Sequence, residues 1–168
     1  MKIHKILFSA LFFFILGNAI AQEMSTKAKS NIESTETGRI DILLNSKNFE
    51  FIANTVYPSG GPSKNLVGSE YSITFTPEMI VSNMPFYGRA HSTIAMAQDT
   101  GMRFKGIPEK LVIEKNLKGY EILSKVQDEN DNFSISMSVS ESGYATLTIK
   151  SNNRGTISYY GEVVEIKQ

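Results

Sequence analysis

The sequence predicts a mainly β fold: a single antiparallel β-barrel-like or sandwich domain with one short N-terminal helix. Three observations carry that prediction. Between residues 49 and 166, short segments rich in β-branched and aromatic residues recur, with turn signals between them. Two neighbouring segments alternate with period two. Phe133, Ile135, Met137 and Val139 interleave with Ser134, Ser136, Ser138 and Ser140, and Ala145, Leu147 and Ile149 with Thr146, Thr148 and Lys150. Such alternation belongs to a strand with one buried and one wet face. No crossover helices separate the segments, which argues against a parallel sheet.

Residues 1–21 read as a cleaved secretory signal. Lys2, His4 and Lys5 form a positive start, Ile6 to Leu16 an apolar run, and Ala19-Ile20-Ala21 a small-x-small cleavage site. The run is too short for a stable bilayer span. The product is therefore expected to be exported to the periplasm or beyond, to begin at Gln22, and to be soluble with no transmembrane segment. Residues 22–34 are polar and lack apolar periodicity, a flexible tether. Residues 35–168 form the single β domain.

Within that domain, Ile40, Leu43, Leu44 and Lys47 fall on one helical stripe, with the Lys47 stem expected to lie over it, so a short amphipathic helix covers about 35–46. Its expected role is to cap one end or face of the β structure. Phe49, Phe51 and Ala53 open a first strand that ends near Tyr57. Residues 58–63 are a Gly- and Pro-rich turn. Tyr71, Ile73 and Phe75 mark a second strand, and Met79 to Met84 a third. Met102 to Lys105 is a short strand, and Gly106-Ile107-Pro108 a break. Lys110 to Lys115 and Gly119 to Val126 make a hairpin about residues 116–119. After the two alternating strands, residues 152–155 turn the chain into a last strand from Thr156 to Ile166.

Composition excludes several functions. Lys plus Arg number 17 and Asp plus Glu 17. Loss of Lys2 and Lys5 with the signal leaves a small acidic excess, so nothing favours a nucleic-acid partner. With no cysteine, disulfides, thiol catalysis, thiolate metal sites and a lipidated cysteine are all excluded. His91 is the one histidine outside the signal, so no multi-histidine zinc site can form in one subunit. The acidic stretch 128–132 fails as a calcium loop, because Phe133 stands where the glycine belongs and Val139 where the bidentate glutamate belongs. No Gly-x-Ser-x-Gly elbow is present, and a nucleophilic triad would have only His91 as its base. No catalytic residue, metal site or cofactor is therefore expected.

Two dense stretches remain. Residues 84–92 hold Phe86, Tyr87, Gly88, Arg89 and His91; residues 151–161 hold Arg154, Tyr159, Tyr160 and Gly161. Their bland reading is core and rim aromatics, glycines at bulges or close approaches, and arginines clamping loops. Their sharper reading is a ligand mouth formed by Tyr87, Arg89, His91, Arg154, Tyr159 and Tyr160, since arginine presents a fork to anions. Either reading brings the two stretches together in the fold.

The segments 48–54, Tyr57-Pro58, 84–90, 119–122, 151–154 and 157–161 together resemble domain-of-unknown-function family 4251, over roughly residues 36–166. Its members are small exported bacterial proteins, many of them lipoproteins; this chain departs from those by lacking cysteine. The resemblance implies an exported, mainly β domain and no assigned activity. The leading expectation is a non-catalytic binding protein of the periplasm or envelope, for a small amphipathic molecule or a protein partner. The alternatives are a structural or stress-related envelope protein without a small ligand, and a hydrolase using His91. A cavity lined by Tyr and Arg favours the first. A filled interior with a long strand edge favours the second, and an open cleft pairing His91 with a carboxylate and a hydroxyl the third.

Overall fold

Side-chain alternation decides which face of a strand turns inward, and the computed structural model, which describes residues 38–88, 101–129 and 131–167, follows it most clearly over residues 131–139 and 144–151. Helix α1 covers residues 38–45. Ten strands follow: β1 (Phe49–Tyr57), β2 (Lys64–Asn65), β3 (Ser72–Phe75), β4 (Ile80–Met84), β5 (Met102–Gly106), β6 (Pro108–Asn116), β7 (Gly119–Asp128), β8 (Asp131–Val139), β9 (Tyr144–Ser151) and β10 (Ile157–Val164). All pair antiparallel in the order β5-β4-β3-β1-β10-β9-β8-β7-β6, with β2 added on β1.

The two ends of that order are consecutive in the chain. Only Ile107 separates β5, which bonds to β4, from β6, which bonds to β7. The expected break at 106–108 is thus a kink in one long run that changes neighbours partway along. A Cβ added to Gly106 would press on Val126 Cγ1 at 2.6 Å and on the Gln127 carbonyl oxygen at 2.7 Å. Across the same junction the rings of Phe104 and Phe133 stack 4.1 Å apart. The sheet is therefore nearly closed into a barrel, which decides between the barrel and sandwich expectations.

The interior is packed with side chains. Phe49, Phe51, Phe75, Met84, Met102, Ile122, Met137 and Tyr159 are all fully buried. The strand β8 keeps its predicted faces, with Phe133, Ile135, Met137 and Val139 inside and Ser134, Ser136 and Ser138 outside. The bulge between Ala53 and Thr55 on β1 faces Gly161 on β10. A Cβ there would overlap the Ile52 carbonyl oxygen, so only glycine permits the close approach of these two strands.

Helix α1 caps one end through buried Ile40, Leu43 and Leu44. Ile40 lies so close to Gly143, in the β8–β9 turn, that a Cβ there would meet its Cδ1 at 2.8 Å. Tyr120 Oη donates a 2.8 Å hydrogen bond to Asp41 Oδ1, and Lys115 Nζ lies 3.2 Å from the same oxygen. The Tyr120 bond first, and the Lys115 contact second, hold the Asp41 carboxyl below its usual range. Lys47 departs from expectation. It is exposed and has φ 56°, so it ends the helix in the left-handed conformation instead of covering the apolar stripe. The two-residue β2 has no counterpart in the sequence reading, because neither of its residues is buried. Among the described residues no helix is long and apolar enough to cross a membrane.

Burial on β8 sets opposite outcomes for adjacent positions. Ile135→Ala should cost ~2–5 kcal/mol in chemical denaturation, through lost transfer energy plus a cavity. Ser136→Ala should stay within about 0.5 kcal/mol of the parent.

Candidate functional site

The two dense stretches do meet. Tyr159 Oη, from the interior face of β10, donates a 2.6 Å hydrogen bond to the Pro85 carbonyl oxygen just past β4. Burial, and secondarily the nearby Tyr87, push the Tyr159 hydroxyl far above its ordinary pKa, so it stays protonated and donating. Tyr87 is half-buried, with Lys64 Nζ of β2 3.9 Å from its ring centroid. Tyr160 points outward and stacks against Tyr144 of β9, the rings nearly parallel at 8° and 6.1 Å apart. Tyr159 and Tyr160, neighbours in sequence, thus serve opposite faces of the sheet.

Arg154 is buried at the same end of the barrel, with Nη1 3.7 Å from Asp131 Oδ2. Asp131 is more heavily engaged than its place in an acidic turn suggests. Its Oδ1 accepts the backbone amides of Asn132, Asn152 and Asn153, and its Oδ2 accepts the Ser151 hydroxyl. A carboxylate has about four lone-pair sites, so this one is filled by the protein itself. It ties β8 to the β9–β10 turn. Arg89 and His91 lie outside the described residues. Of the six expected ligand residues, then, Tyr87 and Tyr159 belong to one cluster, Arg154 to a structural clasp and Tyr160 to the outer face. Among the described residues, no group of three or more His, Cys, Asp or Glu side chains could hold a metal ion.

A concavity with ligand-sized proportions lies elsewhere, on the outer face of β6–β9. It has a volume of about 560 Å³, within the range of small-molecule sites. Its origin is the run of serines on β8. Every outward side chain from Ser134 to Ser138 is short, while the flanking strands carry longer ones. In register across β7, β8 and β9 lie Lys125, Ser134 and Lys150, then Leu123, Ser136 and Thr148. Val112 of β6 pairs beside Leu123 and extends the second row. A register shift between Pro108 and Leu111 bulges β6, and Lys110 in that bulge joins the lining. The floor is hydroxylic, one wall is aliphatic, and three lysines stand against a single acid, Glu109.

A second hollow, about 670 Å³, lies between α1 and residues 165–166. Arg39 and Glu165 balance each other in its lining, so it shows no preference for a charge. The sequence reading recognised the serine face of β8 as wet. It missed the groove because a trough depends on the size of cross-strand neighbours, which one strand does not reveal. The lysines at 125 and 150 flanking Ser134 were the available signal.

A family model described as a domain of unknown function, DUF4251, matches residues 29–163. Among solved structures, the chain resembles the crystal structure of a DUF4251 family protein from Bacteroides eggerthii. The TM-score is 0.60 at 15% identity, covering 78% of this chain and 88% of that one. At that identity the likeness concerns the fold. No curated protein matches the chain.

Two substitutions test the roles assigned here. Arg154→Ala removes the cation beside the buried Asp131 carboxylate but leaves its four hydrogen-bond donors in place, and should lower stability by ~1–3 kcal/mol in urea unfolding. Tyr159→Phe should cost ~1–3 kcal/mol by stranding the Pro85 carbonyl. It should also flatten the alkaline limb of the stability profile. A hydroxyl whose pKa is raised by folding stabilises below its unfolded value near 10 and loses that contribution as pH climbs above it. Melting curves from neutral to strongly alkaline pH, for parent and variant, supply the comparison.

Proposed function

The chain belongs to the DUF4251 family, which carries no assigned activity, and we propose that it is an exported, non-catalytic binding protein of the periplasm or cell envelope that takes a small amphipathic molecule on the outer face of β6–β9. The support is not the expected cavity lined by Tyr and Arg, since side chains including Tyr159 pack the interior; it is the outer groove, with its serine floor, its aliphatic wall of Val112 and Leu123, and its lysine rim. Hydroxyls and ammonium groups fix a polar end, while the wall and the lysine stems offer apolar surface to the rest. Export is supported by the signal-like character of residues 1–21 and by a family match that begins downstream of them, at residue 29. Binding without catalysis is consistent with the way Asp131, Arg154 and Tyr159 spend their polar atoms on the protein itself.

A second reading, an envelope protein without a small ligand, draws support from the packed interior and from β6. Among the described residues the second edge of that nine-residue strand pairs with nothing. An exposed edge is a place for another chain to add a strand.

The readings separate by experiment. Dodecyl maltoside below its micelle concentration should bind the purified exported protein, and Ser136→Trp should abolish that binding while leaving the melting temperature unchanged. Absence of any amphiphile binding would favour the second reading. Intact-mass measurement of the exported protein should give Gln22 as its first residue; retention of residues 1–21 would refute cleavage.

A further inference from the structure

The groove is polarised along β8, and its two ends differ in charge. At one end the row Lys125–Ser134–Lys150 puts two ammonium side chains on either side of one short hydroxyl. Their backbones are two strand spacings apart, about 10 Å, close enough for long side chains to converge over the serine. Lys110 reaches the same groove from the β6 bulge. Among the described residues none of the three lysines has an ion-pair partner, in contrast to Lys115 with Asp41 and Arg154 with Asp131. Like charges brought together across a sheet repel. Lysines that only solubilise a surface are ordinarily interspersed with acids, whereas here Glu109 is the one acid lining the groove. One row along, Leu123, Ser136 and Thr148, with Val112 beside them, carry no charge. The next row brings Glu121 opposite Ser138, with Glu114 of β6 opposite Glu121. The outer face therefore runs from cationic, through aliphatic and hydroxylic, to acidic.

We propose that the groove's ligand is an anionic single-chain amphiphile, with a carboxylate or phosphate head seated between Lys125 and Lys150 and its apolar chain laid past Leu123 and Val112. This inference rests on the amphiphile-binding reading above and adds the sign of the head and its orientation. An anion at the lysine row relieves the repulsion there and draws on a potential focused by a concave surface. The acidic row repels the same head, so the reversed orientation is disfavoured.

The test is a matched set of dodecyl probes below their micelle concentrations, with carboxylate, phosphate, neutral maltoside and trimethylammonium heads, alongside inorganic phosphate. Titration calorimetry on the exported protein at low salt reads the affinities. The two anionic probes should bind at least about tenfold more tightly than the neutral one. The double variant Lys125→Gln, Lys150→Gln should erase that preference while its melting temperature holds, and added salt should weaken the anionic probes alone. Equal binding of neutral and anionic probes would overturn the charge assignment and leave the amphiphile reading standing. Inorganic phosphate binding as tightly as dodecyl phosphate would overturn the role of the apolar wall. Failure of every probe would overturn both readings.

Discussion

The kinked run through Ile107 governs the rest of the structure. Its first half, β5, belongs to the β4 side of the sheet and its second half, β6, to the β7 side. Counting this run once and setting β2 aside, eight positions go round the ring. A barrel of about eight strands has an interior only wide enough for side chains to fill or for one small ligand. Here Phe, Met and Ile residues, with Tyr159, take that space. Closure also requires close contacts at fixed points, and glycines supply two of them. Gly106 allows β5 to reach β7, and Gly161 allows β10 to approach the bulge of β1.

A filled interior turns attention to what the barrel displays outside. The outward positions of β8 are serines, so the convexity expected of a barrel wall is locally reversed into a trough. At one end of the ring, most of the polar side chains with strong chemistry serve the fold. Asp131 collects donors from Ser151, Asn152 and Asn153, and Arg154 pairs with it. At the other end, Asp41 fastens α1 to Tyr120. Lys110, Lys125 and Lys150 stand apart from those networks, and that contrast is the reason to assign them to recognition.

Much of the fold was legible in the sequence, for identifiable reasons. Alternation on β8 and β9 depends on one dry and one wet face, and each residue reports its own side. The stripe of Ile40, Leu43 and Leu44 announced the capping helix in the same way. Barrel closure was not legible, because it depends on β6 pairing with β7 while β5 stays with β4, a long-range choice that Gly106-Ile107-Pro108 disguised as a break. The candidate site was less legible still. Tyr159 and Tyr160 looked alike in sequence, yet period two sends one to the core and the other to the surface. Arg154 looked like an anion fork, and its anion proved to be internal. The meeting of residues 85 and 159 could be anticipated from their shared composition, whereas the identity of the bond, a hydroxyl on a carbonyl, could not.

The order of the strands also bears on how the chain folds. From β6 to β10 every strand pairs with its successor, so these contacts close short loops and carry a small entropic cost. The pairing of β1 with β10 joins residues from opposite ends of the domain. During synthesis β1 emerges long before its partner, and it can hold β2 and β3 but not its place in the ring until β10 arrives. The C-terminal meander is therefore the favourable nucleus. The early strands wait with one edge unpaired, and that interval is when this protein is most exposed to misassociation.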